Sequence, residues 1–300
     1  MSWVRILRNR LFRLSFHVWQ RLGFHVVPNH FYYPVPDTSR LSETLWRGAG
    51  SLPGVDLHED SQQELLGRVL TYREEYEDIP RGLTDDPRKF HLDNGMFTSV
   101  DAEILYAFIR MFRPRKMLEV GGGFSTLLSA QALQMNQNEN PNEELSLVTV
   151  DPYADAAKHA GLPDLARLTV RPVQELELSF FEALQENDML FIDSSHVLKL
   201  GSDVQYLFNE VIPRVKKGVL IHFHDIFLPA EYPRAWIKKE LRFYNEQYLL
   251  QAFLSFNSAF RVIWAGSYMH LSHPRTLEAA FSSYDASHTW PGSLWIQRTL

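Results

Sequence analysis

Short apolar runs alternate with amphipathic stretches along the chain from residue 99 onwards. Apolar runs that contain Val or Ile predict strands, and stretches with apolar residues every three or four positions predict helices. The pattern begins with a helix over 99–113. Strands are expected at 116–120, 146–150, 166–171, 188–193 and 217–224, with helices or loops between them. Repeated strand–helix units of this kind predict an α/β fold with a doubly wound, mostly parallel sheet.

The pattern changes towards the carboxyl end. A helix predicted over 235–250 is followed by a strand at 260–265, a loop over 266–292 and a strand at 293–297. Two late strands without a convincing helix between them predict an antiparallel pair at the edge of the sheet. The expected sheet therefore has seven strands, with an antiparallel edge strand.

The first 98 residues form a predicted helical and Pro-rich aromatic extension, and residues 99–300 form the α/β domain. The extension begins with a predicted helix, and later residues predict an extended aromatic segment at 29–38 and a helix at 61–76. The first helix has an apolar stripe made of Trp3, Leu7, Leu11, Leu14, Val18 and Leu22. It is also basic, because residues 1–36 contain no acid and five arginines, Arg5, Arg8, Arg10, Arg13 and Arg21.

Three roles fit this basic amphipathic helix. It could pack on its own domain or on a second copy of the chain in a homodimer. It could make a peripheral membrane contact through residues 1–25, since basic amphipathic helices bind anionic lipid. It could also be an organelle transit peptide. No apolar run reaches the roughly 18 to 20 residues of a membrane-spanning helix.

Composition narrows the classes of function. The 300 residues are 45% apolar, which is enough to bury a full core. A net charge of −6 argues against a dedicated nucleic-acid-binding protein, which normally has a basic surface. The absence of cysteine excludes disulfides, zinc fingers and thiol catalysis. It also fits a reducing compartment, so we expect a cytoplasmic protein, at the inner membrane surface if the helix binds lipid.

The most informative stretch is K-M-L-E-V-G-G-G-F-S-T, residues 116–126. An apolar strand ends, three glycines follow and an amphipathic helix begins, which is the context of a nucleotide-type cofactor loop. Gly121, Gly122 and Gly123 would let the backbone approach a ligand closely. Glu119, at the carboxyl end of the strand, is placed to accept hydrogen bonds from a ligand amine or hydroxyl.

A second acidic residue ends the next strand. Asp151 follows the run L-S-L-V-T-V and is expected to hold a ribose diol, because a carboxylate accepts two hydroxyl donors at once. It lies 30 positions after Gly121, more than the roughly 20 of a compact dinucleotide unit. We assign the excess to a surface loop over the polar stretch 134–143.

The charge of Glu119 separates two classes of cofactor. NAD(P) sites place a pyrophosphate at the helix N-terminus, where a carboxylate would repel it. S-adenosylmethionine has no phosphate and carries a sulfonium and an ammonium group, which an acidic loop attracts. The sequence therefore favours S-adenosylmethionine.

Polar residues also follow the next two strands of the expected sheet. The run D-M-L-F-I-D-S-S-H brings Asp193 to the end of one strand, with His196 three residues later. The run K-G-V-L-I-H-F-H-D-I-F brings His224 and Asp225 to the end of the next. Ligands of open α/β sheets bind beyond the carboxyl ends of the strands, so these side chains should converge near the cofactor loop.

Three interpretations fit this second group. Asp193, His224 and Asp225 could bind a divalent metal, with carboxylates favouring Mg²⁺ or Mn²⁺ and imidazoles favouring a transition metal. One residue of the group could act as a general base on a substrate hydroxyl. The histidines could also only pack at strand ends. His222 and His224 share one face of their strand, so one of them is a candidate for packing alone.

With both groups of residues in view, the chain resembles the class I S-adenosylmethionine-dependent methyltransferases over about residues 95–300. The resemblance rests on E-V-G-G-G-F-S-T, V-D-P-Y, F-I-D-S-S-H and H-F-H-D-I-F-L-P. Within this class it is similar to the group that contains macrocin-type and other sugar O-methyltransferases and cephalosporin-hydroxylase-like proteins. The resemblance implies a Rossmann-like fold and S-adenosylmethionine as the methyl donor.

The resemblance also implies the residues that bind the donor. Glu119 and residues 121–123 would contact its methionine part, and Ser125 stands where many members of the family have a glycine. The remaining donor contacts would be Asp151 and Pro152 at the ribose and Gln174 or Glu175 near the adenine.

For the chemistry, the resemblance implies that Asp193, Asp225 and His224 form a metal or base site. His224 replaces a carboxylate found in metal-dependent relatives, which argues against Mg²⁺. Asp193, His196 and His224 are the expected catalytic residues, and His196 or Asp193 would take the proton of the acceptor.

The expected function is methyl transfer from S-adenosylmethionine to an oxygen, on a sugar, glycan or natural-product hydroxyl. The expected partner is therefore a small-molecule or glycan acceptor and not a nucleic acid. One alternative is a metal-dependent oxygenase or hydroxylase on the same scaffold, with His196, His224 and Asp225 as an iron-binding triad. Another is a non-catalytic protein that associates with membranes.

Overall fold

A computed structural model describes residues 3–86, 88–154 and 162–300, without the side chains of residues 3–10 and 13. The chain divides into two compact units. The smaller unit contains the residues up to Arg47 together with Arg234–Phe243. The larger unit contains Gly48–Pro233 and Tyr244–Leu300.

The smaller unit contains helix α1, Trp3–Arg21, which confirms the predicted helix at this end of the chain. A short 3₁₀ helix, Glu43–Trp46, follows, and the second segment of the unit contains a π-helical turn, Trp236–Glu240. Arg234 donates hydrogen bonds of 2.7 and 2.9 Å to the two carboxylate oxygens of Glu43. This ion pair joins the two segments of the unit.

The larger unit is built on one sheet, in which the described residues form seven strands. They are β1 Lys116–Val120, β2 Ser146–Val150, β3 Ala166–Thr169, β4 Met189–Ile192, β5 Leu220–Phe223, β6 Phe260–Ala265 and β7 Leu294–Arg298. Their order across the sheet is β3-β2-β1-β4-β5-β7-β6. Strands β1 to β5 are parallel, and β7 runs antiparallel to both β5 and the edge strand β6. This confirms the predicted Rossmann-like fold with a mostly parallel seven-stranded sheet.

Helices cover both faces of the sheet. They are α2 Glu59–Val69, α3 Arg73–Glu77, α4 Asp101–Phe112, α5 Phe124–Glu139, α6 Ser179–Glu182, α7 Asp203–Tyr206, α8 Glu246–Leu254, α9 Gly266–Ser272 and α10 Pro274–Ala280. Shorter 3₁₀ and π-helical turns are Leu70–Tyr72, Val173–Glu175, Leu207–Val211 and Ile212–Arg214.

Successive strand residues face opposite sides of the sheet, so the core has two layers. Met117 packs with α2, α4 and α5 in one apolar cluster, and its neighbour Leu118 packs with α8 and residues 204–215 in the other. A sheet buried on both faces explains why the strands are almost wholly apolar.

Three predicted segments differ from the structure. The polar stretch 134–143 was expected to be a loop, but α5 continues to Glu139 because Asn136 is buried and donates a 2.9 Å hydrogen bond to the carbonyl of Ile109. The helix expected over 235–250 is interrupted between the π-helical turn and α8, at Leu241, whose φ is +58°. The loop expected over 266–292 contains α9 and α10.

The sequence predicts a domain boundary after residue 98, whereas the two compact units divide after Arg47 and on either side of Arg234–Phe243. The reason lies in α2 and α3: Leu65, Leu66, Val69 and Tyr76 pack in the same apolar cluster as α4. Residues 48–98 therefore contribute core side chains to the larger unit.

A search of the described residues for membrane spans finds no helix with the length and apolar content to cross a bilayer.

Candidate functional site

The carboxyl ends of the parallel strands enclose a cavity of about 470 Å³. This volume lies in the range of small-molecule sites. The lining comes from the ends of β1, β2 and β4 and from the loops that follow β3 and β4: Val120, Gly121, Gly122, Val150, Asp151, Pro152, Tyr153, Pro172, Val173, Gln174, Asp193, Ser194, Ser195, Lys199, Gly201, Ser202 and Asp203.

A tight glycine turn forms one wall of the cavity. Gly121 has a φ of +90° and donates a 2.9 Å hydrogen bond to the carbonyl of Val150. A Cβ at this position would lie 1.7 Å from the carbonyl oxygen of Asp193. Only glycine combines this conformation with so close an approach to a neighbouring strand. Gly122 also lines the cavity, whereas Gly123 is exposed, lies outside the lining and is the N-cap residue just before α5.

Asp151 directly follows β2 and lies on the side of the glycine turn that is opposite to Asp193. One of its carboxylate oxygens accepts a 3.1 Å hydrogen bond from the backbone N–H of Gly122, and the other accepts a 2.8 Å bond from that of Tyr153. Each carboxylate oxygen can accept a further hydrogen bond, so a bound diol would still find two acceptors.

Glu119 lies beneath the cavity and does not line it. Its buried carboxylate accepts hydrogen bonds of 2.7, 2.6 and 2.7 Å from the hydroxyls of Ser125, Thr126 and Thr149. Burial raises the pKa of Glu119 to about 7, against the opposing effect of the three hydroxyls. Glu119 and Ser125 thus hold the turn in place from below, and their role as direct donor contacts stays a prediction.

The predicted adenine-side residues are placed differently from one another. Gln174 lines the cavity and donates a 3.0 Å hydrogen bond to the carbonyl of Gly201. Glu175 is exposed and lies outside the lining, whereas Pro152 is part of it. Of the predicted donor-binding set, the structure therefore brings together Gly121, Gly122, Asp151, Pro152 and Gln174 around one cavity.

Sequence reasoning missed several lining residues, among them Asp203. This carboxylate accepts hydrogen bonds of 2.8 and 2.5 Å from the backbone N–H and hydroxyl of Ser195. The only signal for it is a Ser–Asp pair that opens α7, which is common at helix starts. With Asp151 and Asp193 it gives three carboxylates against one cation, Lys199, among the lining residues that the structure describes, so this lining is negatively charged.

His196 lies at the centre of the second group of residues, among three carboxylates. Its Nε2 is 3.2 Å from Asp193 and 3.6 Å from Asp225, and its Nδ1 is 2.9 Å from Glu246. Burial lowers the pKa of His196, but the bonds to Asp193 and Glu246 outweigh it and raise that pKa well above its usual value. The imidazole is therefore charged and donates from both nitrogens.

Glu246 was not predicted, since a glutamate in the first turn of a helix is ordinary. It is almost fully buried and bonds His196, whose main-chain φ is +57°. The ring of Tyr244 lies 4.7 Å from that of His196, centroid to centroid. These contacts fix the imidazolium beside Asp193.

The two histidines of β5 and its carboxyl end differ in their surroundings. His222 is fully buried, stacks on Phe191 at 3.9 Å between ring centroids and bonds the Ser293 hydroxyl at 2.8 Å, so it packs in the core. His224 lies 3.7 Å from a carboxylate oxygen of Asp225. The structure thus brings Asp193, His196, His224 and Asp225 together, as the strand ends predicted.

This arrangement does not suit a metal ion. Among the residues with described positions, no group of three or more His, Asp or Glu is arranged to hold one. The Nε2 of His196 lies between Asp193 and Asp225, where a cation shared by these carboxylates would have to sit. The geometry therefore does not support the expected set Asp193, His224 and Asp225, or the iron-binding triad of His196, His224 and Asp225.

Comparison with known proteins identifies a domain family that matches part of the chain. Residues 118–226 match a family model described as a methyltransferase domain. An uncharacterized protein from Archaeoglobus fulgidus is 31% identical over 168 residues, which is 53% of this chain and 74% of that protein.

Two solved structures show a weaker likeness. One is assigned as a protein-L-isoaspartate O-methyltransferase from Plasmodium falciparum, in complex with S-adenosyl-L-homocysteine: identity 9%, coverage 56% of this chain and 84% of that one, TM-score 0.33. The other is assigned as a methyltransferase from Thermobifida fusca: identity 12%, coverage 66% and 82%, TM-score 0.38. We base no conclusion on structures with identities and TM-scores this low. The family match runs from β1 to the residues just after β5 and includes the glycine turn, so residues 118–226 form a methyltransferase domain within a Rossmann-like, class I fold.

Proposed function

We propose that the cavity binds S-adenosylmethionine and that the protein transfers its methyl group to a hydroxyl oxygen of a sugar, glycan or natural product. One observation supports the choice of donor: Asp151 and Asp193 line the same cavity, and they lie on the two sides of the glycine turn. The three carboxylates of the lining favour a ligand that is positively charged and has no phosphate.

The residues present suit the parts of this donor. Asp151 would accept the ribose hydroxyls, because each of its oxygens has a free acceptor position beside the bond to Gly122 or Tyr153. Gln174, across the cavity, would lie near the adenine. The turn at Gly121 and Gly122 would take the methionine part.

The bound donor supplies an electrophilic methyl group to an in-line displacement, in which orientation provides much of the rate. The protein's own contribution is to hold and deprotonate the acceptor. Asp193 is a third exposed, and its Oδ1 faces His196. Its Oδ2 can accept a hydrogen bond from an acceptor hydroxyl and then its proton.

Burial opposes the ionisation of Asp193, but the positive charges of His224 and His196 outweigh it and lower its pKa. A weakly basic carboxylate is sufficient here, because the proton of a hydroxyl becomes strongly acidic as its oxygen gains a third bond, to the methyl carbon. His196 is a positioning residue: both its nitrogens already face carboxylates, so it has no free nitrogen to accept a proton.

The choice of a hydroxylated acceptor rests on Asp193 and Asp225, which are both partly exposed beside His196. Two neighbouring carboxylates accept hydrogen bonds from adjacent hydroxyls, a pattern that fits a polyhydroxylated molecule. They would repel a carboxylate acceptor.

The test is methyl transfer from labelled S-adenosylmethionine to a panel of acceptors. The panel contains hexoses, deoxysugars and glycosides, with matched amines and carboxylic acids as controls. We expect label only in the hydroxylated compounds. Transfer to an amine or a carboxylate would overturn the O-methylation proposal, and absence of donor binding would overturn the donor site itself.

A further inference from the structure

Charge is distributed very unevenly between the two compact units. The smaller unit contains eleven Arg and Lys and only three Asp and Glu, a formal charge of +8. The whole chain carries −6, which leaves −14 on the larger unit. A small, strongly basic unit on an acidic protein indicates a separate attraction to an anionic partner.

The same unit exposes a continuous apolar stripe on α1 and on the residue that follows it. Leu11, Leu14, Val18 and Leu22, spaced three or four residues apart, lie on one face and are between 56% and 75% exposed. The unit packs through another face of the helix, where the ring of Phe12 lies 6.3 Å from Tyr33 and that of Phe16 lies 5.8 Å from His25. The stripe is therefore not needed for packing inside the unit.

Arg21, which is exposed, falls along one edge of the stripe by helical spacing. The sequence of α1 contains four further arginines and no acid. Apolar residues flanked by long cationic side chains suit a membrane interface, where the apolar groups enter the acyl region and the guanidinium groups reach the phosphates. Phe24, Phe31 and Tyr32 add exposed aromatic groups next to the helix.

Two other occupants of the stripe fit less well. A second copy of the chain would bring together two helices that carry five arginines each and no acid, and these would repel one another. A nucleic acid would use the arginines but would leave the apolar stripe in water. Only an anionic lipid surface matches both features at once.

We propose that the smaller unit docks the protein on an anionic membrane surface, with the stripe Leu11, Leu14, Val18 and Leu22 in the apolar layer and the positive charge of the unit attracted to the headgroup phosphates. This docking does not depend on the methyltransferase reaction, and it would bring the enzyme to acceptors that are lipid-linked or membrane-bound.

Co-sedimentation of the full chain with vesicles tests the proposal. One set of vesicles contains equal parts of phosphatidylcholine and phosphatidylglycerol, and the other contains phosphatidylcholine alone. We expect binding to the anionic vesicles that is at least about tenfold stronger than to the neutral ones and that weakens as salt is raised. The double variant Leu14→Ser/Val18→Ser should lose about tenfold or more in partitioning.

The matched control is Leu83→Ser/Phe256→Ser, which removes two side chains of the larger unit that are 83% and 88% exposed. It should bind vesicles like the wild type. Donor binding measured by calorimetry should be unchanged in both double variants, which shows that they are folded.

Three results would overturn the proposal. The wild type could fail to bind anionic vesicles, or Leu14→Ser/Val18→Ser could bind them as well as the control does. Sedimentation equilibrium could also reveal a dimer that Leu14→Ser/Val18→Ser dissociates, which would assign the stripe to a second copy of the chain.

Discussion

A Cβ on residue 121 would lie 1.7 Å from the carbonyl oxygen of Asp193, so Gly121 and Asp193 are held in direct backbone contact. The N–H of Asp193 also donates a 2.8 Å hydrogen bond to the carbonyl of Val120. The main chain thus sets the spacing between the donor-side turn after β1 and the proposed catalytic carboxylate after β4.

Replacing Gly121 with alanine should destabilise the protein by at least about 3 kcal/mol, because the φ of +90° is strained for alanine and the Cβ would overlap the Asp193 carbonyl. Gly123→Ala is the matched control in the same turn, since a Cβ there meets no atom within 4 Å. It should cost about 1 kcal/mol or less. Urea unfolding measures both, and equal losses in the two variants would contradict the close contact.

The buried Glu119 should make stability depend on pH. Its pKa is about 7 in the folded protein and 4.5 as a free group, so the folded state binds the extra proton between these values. The free energy of unfolding should therefore fall as pH rises from about 4.5 to about 7, and then level off.

Glu119→Gln tests this directly, since the hydroxyls of Ser125, Thr126 and Thr149 can bond an amide as well as a carboxyl group. The difference in unfolding free energy between wild type and variant should change over that pH range. Taking the difference cancels the similar effect of Glu103, because burial also raises the pKa of Glu103 to about 7. A flat difference for Glu119→Gln would refute the prediction.

Replacing Asp193 with asparagine should lower kcat by at least about 100-fold, because the amide cannot accept the acceptor's proton. Affinity for S-adenosylmethionine should change by no more than about threefold, as other groups hold most of the donor. Single-turnover rates and calorimetry give the two values. Asp78→Asn, at an exposed site, is the control, and an Asp193→Asn variant that turns over normally would remove Asp193 from the mechanism.

Removal of metal should leave activity unchanged within about twofold. The charged ring of His196 already lies between Asp193 and Asp225, so these carboxylates need no cation to offset their repulsion. Activity is measured after dialysis against a chelator, with and without added Mg²⁺, Mn²⁺ or Fe²⁺. Loss of turnover on chelation and its recovery with one of these ions would show that the metal interpretation was right.

The sequence predicted the strand ends well and the connections poorly. Parallel strands end at one edge of the sheet, so the side chains that follow them could be assigned to that edge from the sequence. These are Asp151, Asp193, His196, His224 and Asp225. The sequence did not reveal in the same way how deeply a side chain is buried. Glu119 lies in the same kind of strand, one residue before its end, but points under the turn, because Ser125, Thr126 and Thr149 supply three hydroxyl donors from α5 and β2.

Contacts between distant segments explain what the sequence could not predict. Glu246 reaches His196 from 50 positions away, and no local pattern marks it. Helix α5 extends through polar residues because Asn136 and Glu139 bond Arg110 of α4, a partner that periodicity within α5 does not reveal.

The central claim is that a negatively charged cavity selects a cationic donor that has no phosphate, and titration calorimetry with S-adenosylmethionine and NAD in parallel tests it most directly. We predict that S-adenosylmethionine binds at one site per chain in the micromolar range and that NAD gives no binding heat. Binding of NAD at comparable affinity, or no S-adenosylmethionine binding up to millimolar concentration, would contradict the account.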